Sequence, residues 1–168
     1  MQLHNSKKVA YISLLTALAL IFSYVESLIP LNFGIPGVKL GLANAVSVIT
    51  IYLFGPLYAV FVTIIRVILS GLLFGNMFSI LYSLAGGILS IIVMSFIRRI
   101  DKFSILGVSM SGGVAHNIGQ LLVAVMVINQ LRLYFYCPVL ILSGLIMGAL
   151  IGIVCSAILK RVETYVRS

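Results

Sequence analysis

Six apolar runs follow one another with almost no polar chain between them, at about residues 9–29, 40–54, 57–74, 77–97, 106–129 and 138–159. A helix that crosses the hydrocarbon core needs roughly 20 such residues. In lipid the backbone must satisfy its own hydrogen bonds, so a run of this kind is helical or part of a closed barrel. Runs of this length are too long for barrel strands. The expectation is an all-α integral membrane protein: six transmembrane helices in one domain spanning residues 1–168, with no room for a separate soluble catalytic domain.

Composition agrees. Hydrophobic residues make up 62% of the 168-residue chain and charged residues only 8%, more apolar surface than a soluble domain of this size hides. The formal net charge is +8, which in a soluble protein would point to nucleic acid. Here the basic residues cluster at the ends of apolar runs, so they read as topology signals facing an anionic leaflet of the lipid bilayer, and no nucleic-acid partner is expected. The first run contains Ala17-Leu18-Ala19, which has the small-x-small form of a signal-peptide cleavage site. That site lies inside the run rather than after it, so the run reads as a retained helix.

Orientation follows from the Lys/Arg bias. With the N-terminus in the cytoplasm, Lys7, Lys8, Arg98, Arg99, Lys102, Lys160, Arg161 and Arg167 all face inward, Lys39 and Arg132 face outward, and Arg66 lies within a span. The opposite orientation inverts this ratio, so the chain is expected in the cell membrane with both termini cytoplasmic. The longest irregular stretch, residues 30–39, carries two prolines and two glycines and joins helices 1 and 2 on the outer side.

The polar residues that fall at membrane depth carry the functional reading. At about 1.5 Å per residue, Arg66 and His116 reach similar depths near the midplane, with Asn117 beside His116 and Gln120 one turn farther out. A second group lies nearer the outer side: Glu26, Lys39 and Asn44, with Asn76, Tyr82 and Ser83 in reach. Glu26 is the acidic residue within a span, and its expected partner is Lys39, or Arg66 if helix 1 tilts. An intramembrane Arg is costly unless paired or hydrated, and such residues mark ligand or ion pathways by default. These groups predict an outward-open, net positive cavity under the 31–39 loop, suited to an anionic or amphipathic small molecule. Mutual satisfaction that only fixes helix register is the competing reading.

Small residues in the spans read first as packing faces. Gly144, Gly148 and Gly152 form one groove on helix 6, and Gly86-Gly87 lie on helix 4. Ser13 and Ala17 on helix 1 are the pair most suited to docking another membrane subunit. Catalysis by this chain alone is not expected: there is no paired-carboxylate site, nucleophile elbow or phosphate-binding loop. Two cysteines, Cys137 and Cys155, with no Cys/His cluster, support no metal, iron–sulfur or disulfide framework, and no cofactor is expected.

Lys39-Leu40-Gly41-Leu42-Ala43-Asn44, Arg66, Ser83-Leu84-Ala85-Gly86-Gly87 and Ala115-His116-Asn117-Ile118-Gly119-Gln120-Leu121 together resemble the motif series of the Gx transporter family, also labelled heptaprenyl diphosphate synthase component I. The resemblance implies a bundle similar to the substrate-binding S components of energy-coupling-factor transporters. In those proteins the loop after helix 1 lids an outward pocket, and a small-xxx-small face on helix 1 docks on a coupling subunit that works with ATPases. Ser13-x-x-x-Ala17 stands here in place of the usual Ala-x-x-x-Ala. The family also resembles membrane components encoded beside a partner with a NusG-like domain in flavin-based extracellular electron-transfer systems. The synthase label is in tension with the residues, because prenyl diphosphate synthases hold metal–diphosphate with Asp-rich motifs. The chain has a single Asp, Asp101. Ligand binding by Glu26, Lys39, Asn44, Arg66, Ser83, His116, Asn117 and Gln120 is the leading expectation. A non-catalytic accessory role in polyprenyl diphosphate synthesis, or a subunit role in quinone- or flavin-linked electron transfer, are the alternatives.

Overall fold

A computed structural model describes residues 5–28, 41–100 and 102–167. The described chain is all-helical: α1 (Asn5–Leu28), α2 (Leu42–Leu53), α3 (Pro56–Phe74), α4 (Met77–Arg98), α5 (Ile105–Ile128), a 3-10 turn (Leu131–Tyr136) and α6 (Cys137–Arg167). Five of these segments are long and apolar enough to cross a membrane, as in a multi-pass membrane protein. The exception is α2. Its 12 residues extend about 18 Å at 1.5 Å per residue, short of a hydrocarbon core of about 30 Å. The sequence places helix 2 at residues 40–54. The helix starts later because Gly41 adopts a left-handed conformation (φ 74°). It ends sooner because Gly55 (φ 98°) turns the chain into Pro56 at the first position of α3. At the other extreme, α6 continues through the polar stretch after residue 159, which sequence alone reads as a tail.

Burial departs from the pattern of a soluble domain, although an apolar core remains around Ile51, Ile91 and Met94. Large apolar side chains such as Leu72, Met126 and Phe135 face outward, while Asn44, Thr50, Thr63, Arg66, Ser90, His116, Asn117 and Gln120 are buried. Lipid tails solvate Leu and Phe, so apolar burial does not drive these helices together; close packing and interhelical hydrogen bonds do.

The helices α1, α3, α4, α5 and α6 pack in that order, each against the next, and α2 fills the middle, touching α1, α3, α4 and α6. Eight of the 12 α2 residues are buried, from Ala43 to Ile51. Small residues set the tightest seams. A Cβ on Gly148 would lie 2.6 Å from Met110 Cα, one on Gly152 2.8 Å from Leu106 Cα, and one on Gly144 2.9 Å from the Gly113 carbonyl. The glycine groove of α6 is therefore filled by the backbone of α5. On the other side of α5, Gly119 approaches the Ala85 carbonyl and Gly86 of α4.

Charged side chains hold both ends of α2. The Glu26 carboxylate accepts a hydrogen bond from Leu42 N–H at 2.8 Å. The Arg98 guanidinium donates to the Ile51 and Tyr52 carbonyls and lies 4.6 Å from the centre of the Tyr52 ring. An acidic group at the helix N-terminus and a basic group at its C-terminus both complement the helix dipole. They also satisfy a donor and acceptors that a short helix leaves open.

Candidate functional site

Among the described residues, two clefts lined by polar side chains lie inside the bundle. The first lies where α3 meets α1 on one side and α4 on the other. Its walls are Ser23, Glu26 and Ser27 from α1, Arg66, Ser70 and Phe74 from α3, and Gly75, Ser79 and Ser83 beyond. It holds about 540 Å³ of empty space, part of it open to the surroundings. Each helix contributes polar residues one turn apart, on one face: Ser23 with Ser27, Arg66 with Ser70, and Ser79 with Ser83.

Arg66 is the charged centre of this cleft. Only 6% of its surface is exposed. Its Nη1 donates to Ser23 Oγ at 3.1 Å. Its Nε and Nη2 are buried and have no hydrogen-bond partner. Glu26 supplies a favourable Coulomb interaction from the same cleft while capping α2. A buried guanidinium with two open donors is costly, which makes this the least self-satisfied polar group among the described residues.

The second cleft is narrower and lies among α2, α4, α5 and α6, lined in part by Asn44, Ser90, Ser109, His116 and Asn117. Its polar groups are largely committed to packing. Asn117 Nδ2 donates to the Leu140 carbonyl at 2.8 Å and to Ser143 Oγ at 3.1 Å, tying α5 to α6. Ser90 Oγ donates to the Gly112 carbonyl at 2.9 Å. His116 and Gln120 pack against Gly86, where a Cβ would meet His116 Cε1 at 3.0 Å and Gln120 Cγ at 2.9 Å.

The residues expected to share one patch near the midplane thus divide. Arg66 lies with Glu26 and Ser83 in the first cleft, and His116 and Asn117 lie with Asn44 in the second. The reason is helix order: α4 stands between α3 and α5, so equal depth does not bring Arg66 to His116. Asn76, expected within reach of the outer cavity, is exposed and caps α4, accepting from Ser79 N–H at 2.8 Å in a capping box. Lys39 and the 31–39 loop lie outside the described residues. Ser13 and Ala17 sit on the exposed face of α1.

Ser23, Ser27, Ser70 and Ser79 line the cleft beyond the residues expected from sequence. Their signal was present as the i, i+4 spacing of hydroxyl or charged residues in three separate apolar runs. Arg98, expected from sequence to act as a topology charge, also closes the end of α2 with its guanidinium.

A family model described as heptaprenyl diphosphate synthase component I matches residues 15–158. The chain belongs to this family. The match runs from within α1 to within α6 and so includes every residue of both clefts. No curated protein and no solved structure matches the chain. The description of heptaprenyl diphosphate synthase component I names a component of a synthase, and the most polar site among the described residues of this member is the serine-lined cleft around Arg66.

Proposed function

We propose that this member of the heptaprenyl diphosphate synthase component I family is a membrane-embedded binding subunit. It takes a small anionic or amphipathic molecule from the outer side and works, like an S component, with a coupling membrane subunit and its ATPases. In this reading the chain is one transmembrane unit of six membrane helices, α2 being the short central one, with both termini in the cytoplasm. The observation that carries it is Arg66: nearly fully buried, lining a cleft, with two guanidinium nitrogens open. A buried cation is retained at such a cost where it serves a ligand or ion. Glu26, Ser83 and the other serines around Arg66 supply further contacts, and Asn44, His116, Asn117 and Gln120 stand behind α4, in and beside the second cleft. Lys39 joins the mouth of the site as a second cation.

The test is a thermal-shift screen of the detergent-purified protein against vitamins, flavins, quinone precursors and prenyl diphosphates, repeated with Arg66→Ala. A ligand that stabilises the wild type and not the variant is the expected result. Equal stabilisation of both would remove Arg66 from the site.

The family description favours a second reading, a non-catalytic subunit of polyprenyl diphosphate synthesis. With one Asp in the chain, metal-bound diphosphate chemistry would belong to a partner with Asp-rich motifs. Co-purification with such a soluble synthase, together with altered polyprenyl yield on deletion, would favour it over the uptake role.

A further inference from the structure

The arrangement of the open donors says more than that the site is cationic. In a guanidinium, Nε–H and the adjacent Nη2–H project side by side along one edge, and this edge matches two oxygens of one oxyanion. In Arg66 that whole edge lacks a partner, while Nη1, at the other corner, is held by Ser23 Oγ at 3.1 Å. The Ser23 contact fixes the rotation of the guanidinium, so the edge is preset rather than adaptable. The charges of the described cleft lining also count: Arg66 contributes one positive charge and Glu26 one negative. Glu26 has its own task, because Oε1 accepts the Leu42 N–H at 2.8 Å.

From this we infer that the Arg66 cleft binds one compact oxyanion group, a carboxylate or a phosphate monoester, side-on through Arg66 Nε and Nη2. This inference rests on the binding-subunit reading above and specifies the headgroup that the subunit recognises. A single headgroup finds two parallel donors with Ser23 Oγ beside them, while Ser27, Ser70 and Ser79 spend their hydroxyl protons on backbone carbonyls.

The experiment uses bare headgroups on the full chain in a non-ionic maltoside detergent: acetate, inorganic phosphate and pyrophosphate, against sodium chloride at matched ionic strength. Two readouts are followed, the melting temperature and the arginine Nε–H signals in a proton–nitrogen NMR spectrum. Acetate or phosphate is expected to raise the melting temperature saturably and to move one Nε–H signal, with chloride doing neither. Saturation by acetate alone assigns a carboxylate ligand, and saturation by phosphate assigns a phosphate monoester. Arg66→Lys keeps the charge but not the fork, and its affinity for the same anion is expected to drop about tenfold or more. Arg66→Lys binding as tightly as wild type would overturn side-on recognition. Pyrophosphate binding more tightly than both single anions would overturn the headgroup assignment, and this comparison needs only the wild-type protein should the lysine variant fail to fold. A screened ligand that depends on Arg66 but is not displaced by acetate or phosphate defeats this inference while leaving the binding-subunit reading intact. Absence of any ligand in either experiment defeats both.

Discussion

Glu26 Oε1 and Leu42 N–H are 2.8 Å apart, so a carboxylate near the C-terminal end of α1 holds the first turn of the central helix. The same carboxylate lines the cleft around Arg66. One side chain therefore links the position of α2 to the electrostatics of the candidate site.

Replacing that acceptor should loosen α2. Glu26→Ala leaves the Leu42 N–H without its acceptor and removes the negative charge from the helix N-terminus, a loss of about 1–2 kcal/mol. Glu26→Gln keeps an acceptor oxygen but not the charge and should cost less. Melting of the two purified variants beside wild type checks the order. If Glu26→Ala melts with the wild type, the cap contributes nothing.

At the opposite end, Arg98 donates to the Ile51 and Tyr52 carbonyls. Arg98→Ala should lower stability by about 1–2 kcal/mol through lost capping and lost stacking on Tyr52. Arg98→Lys keeps the charge beside the helix C-terminus but cannot reach two carbonyls in one plane, so an intermediate melting temperature is expected. Equal stability of the lysine variant would mean that charge alone matters there.

The α5–α6 seam should tolerate no added carbon. Gly148→Ala places a methyl 2.6 Å from Met110 Cα, a clash with backbone that costs about 1–3 kcal/mol. Gly55 is the contrasting case. Nothing lies within 4 Å of its missing Cβ, and the penalty of Gly55→Ala comes only from φ 98°. Limited proteolysis of the first variant should cut within α6 or the turn before it. Protection equal to wild type would show that the seam can open without cost.

Asn117 and Arg66 should separate by readout. Asn117 spends its amide on Leu140 and Ser143, so Asn117→Ala should lower stability by about 1–2 kcal/mol, seen as a lower melting temperature, and leave ligand stabilisation of the remaining folded protein intact. Arg66→Ala should do the reverse, abolishing the ligand effect. Removing a buried cation with open donors need not lower stability in the absence of ligand. Loss of ligand stabilisation in Asn117→Ala would draw the second cleft into the site.

Much of the architecture could be read from the chain itself. Apolar runs separated by Gly-Pro, Gly-Asn and Arg-Arg breaks dictate helices, because lipid leaves the backbone no other partner than itself, while the ends of α2 and α6 fall elsewhere than the runs do. The depth of Arg66 follows from counting residues along its run, and the i, i+3 and i+4 spacing of Ser23, Glu26 and Ser27 assigns them one face of α1. Local geometry of this kind depends only on helical pitch. What depth cannot give is azimuth: which face of one helix meets which face of another. Only the tertiary structure set α4 between Arg66 and His116, packed the α6 glycines against the α5 backbone, and turned the shortest run into the buried centre of the bundle with Glu26 and Arg98 at its ends. These outcomes depend on how closely small residues let backbones approach, a property of pairs of helices that lies in no single run.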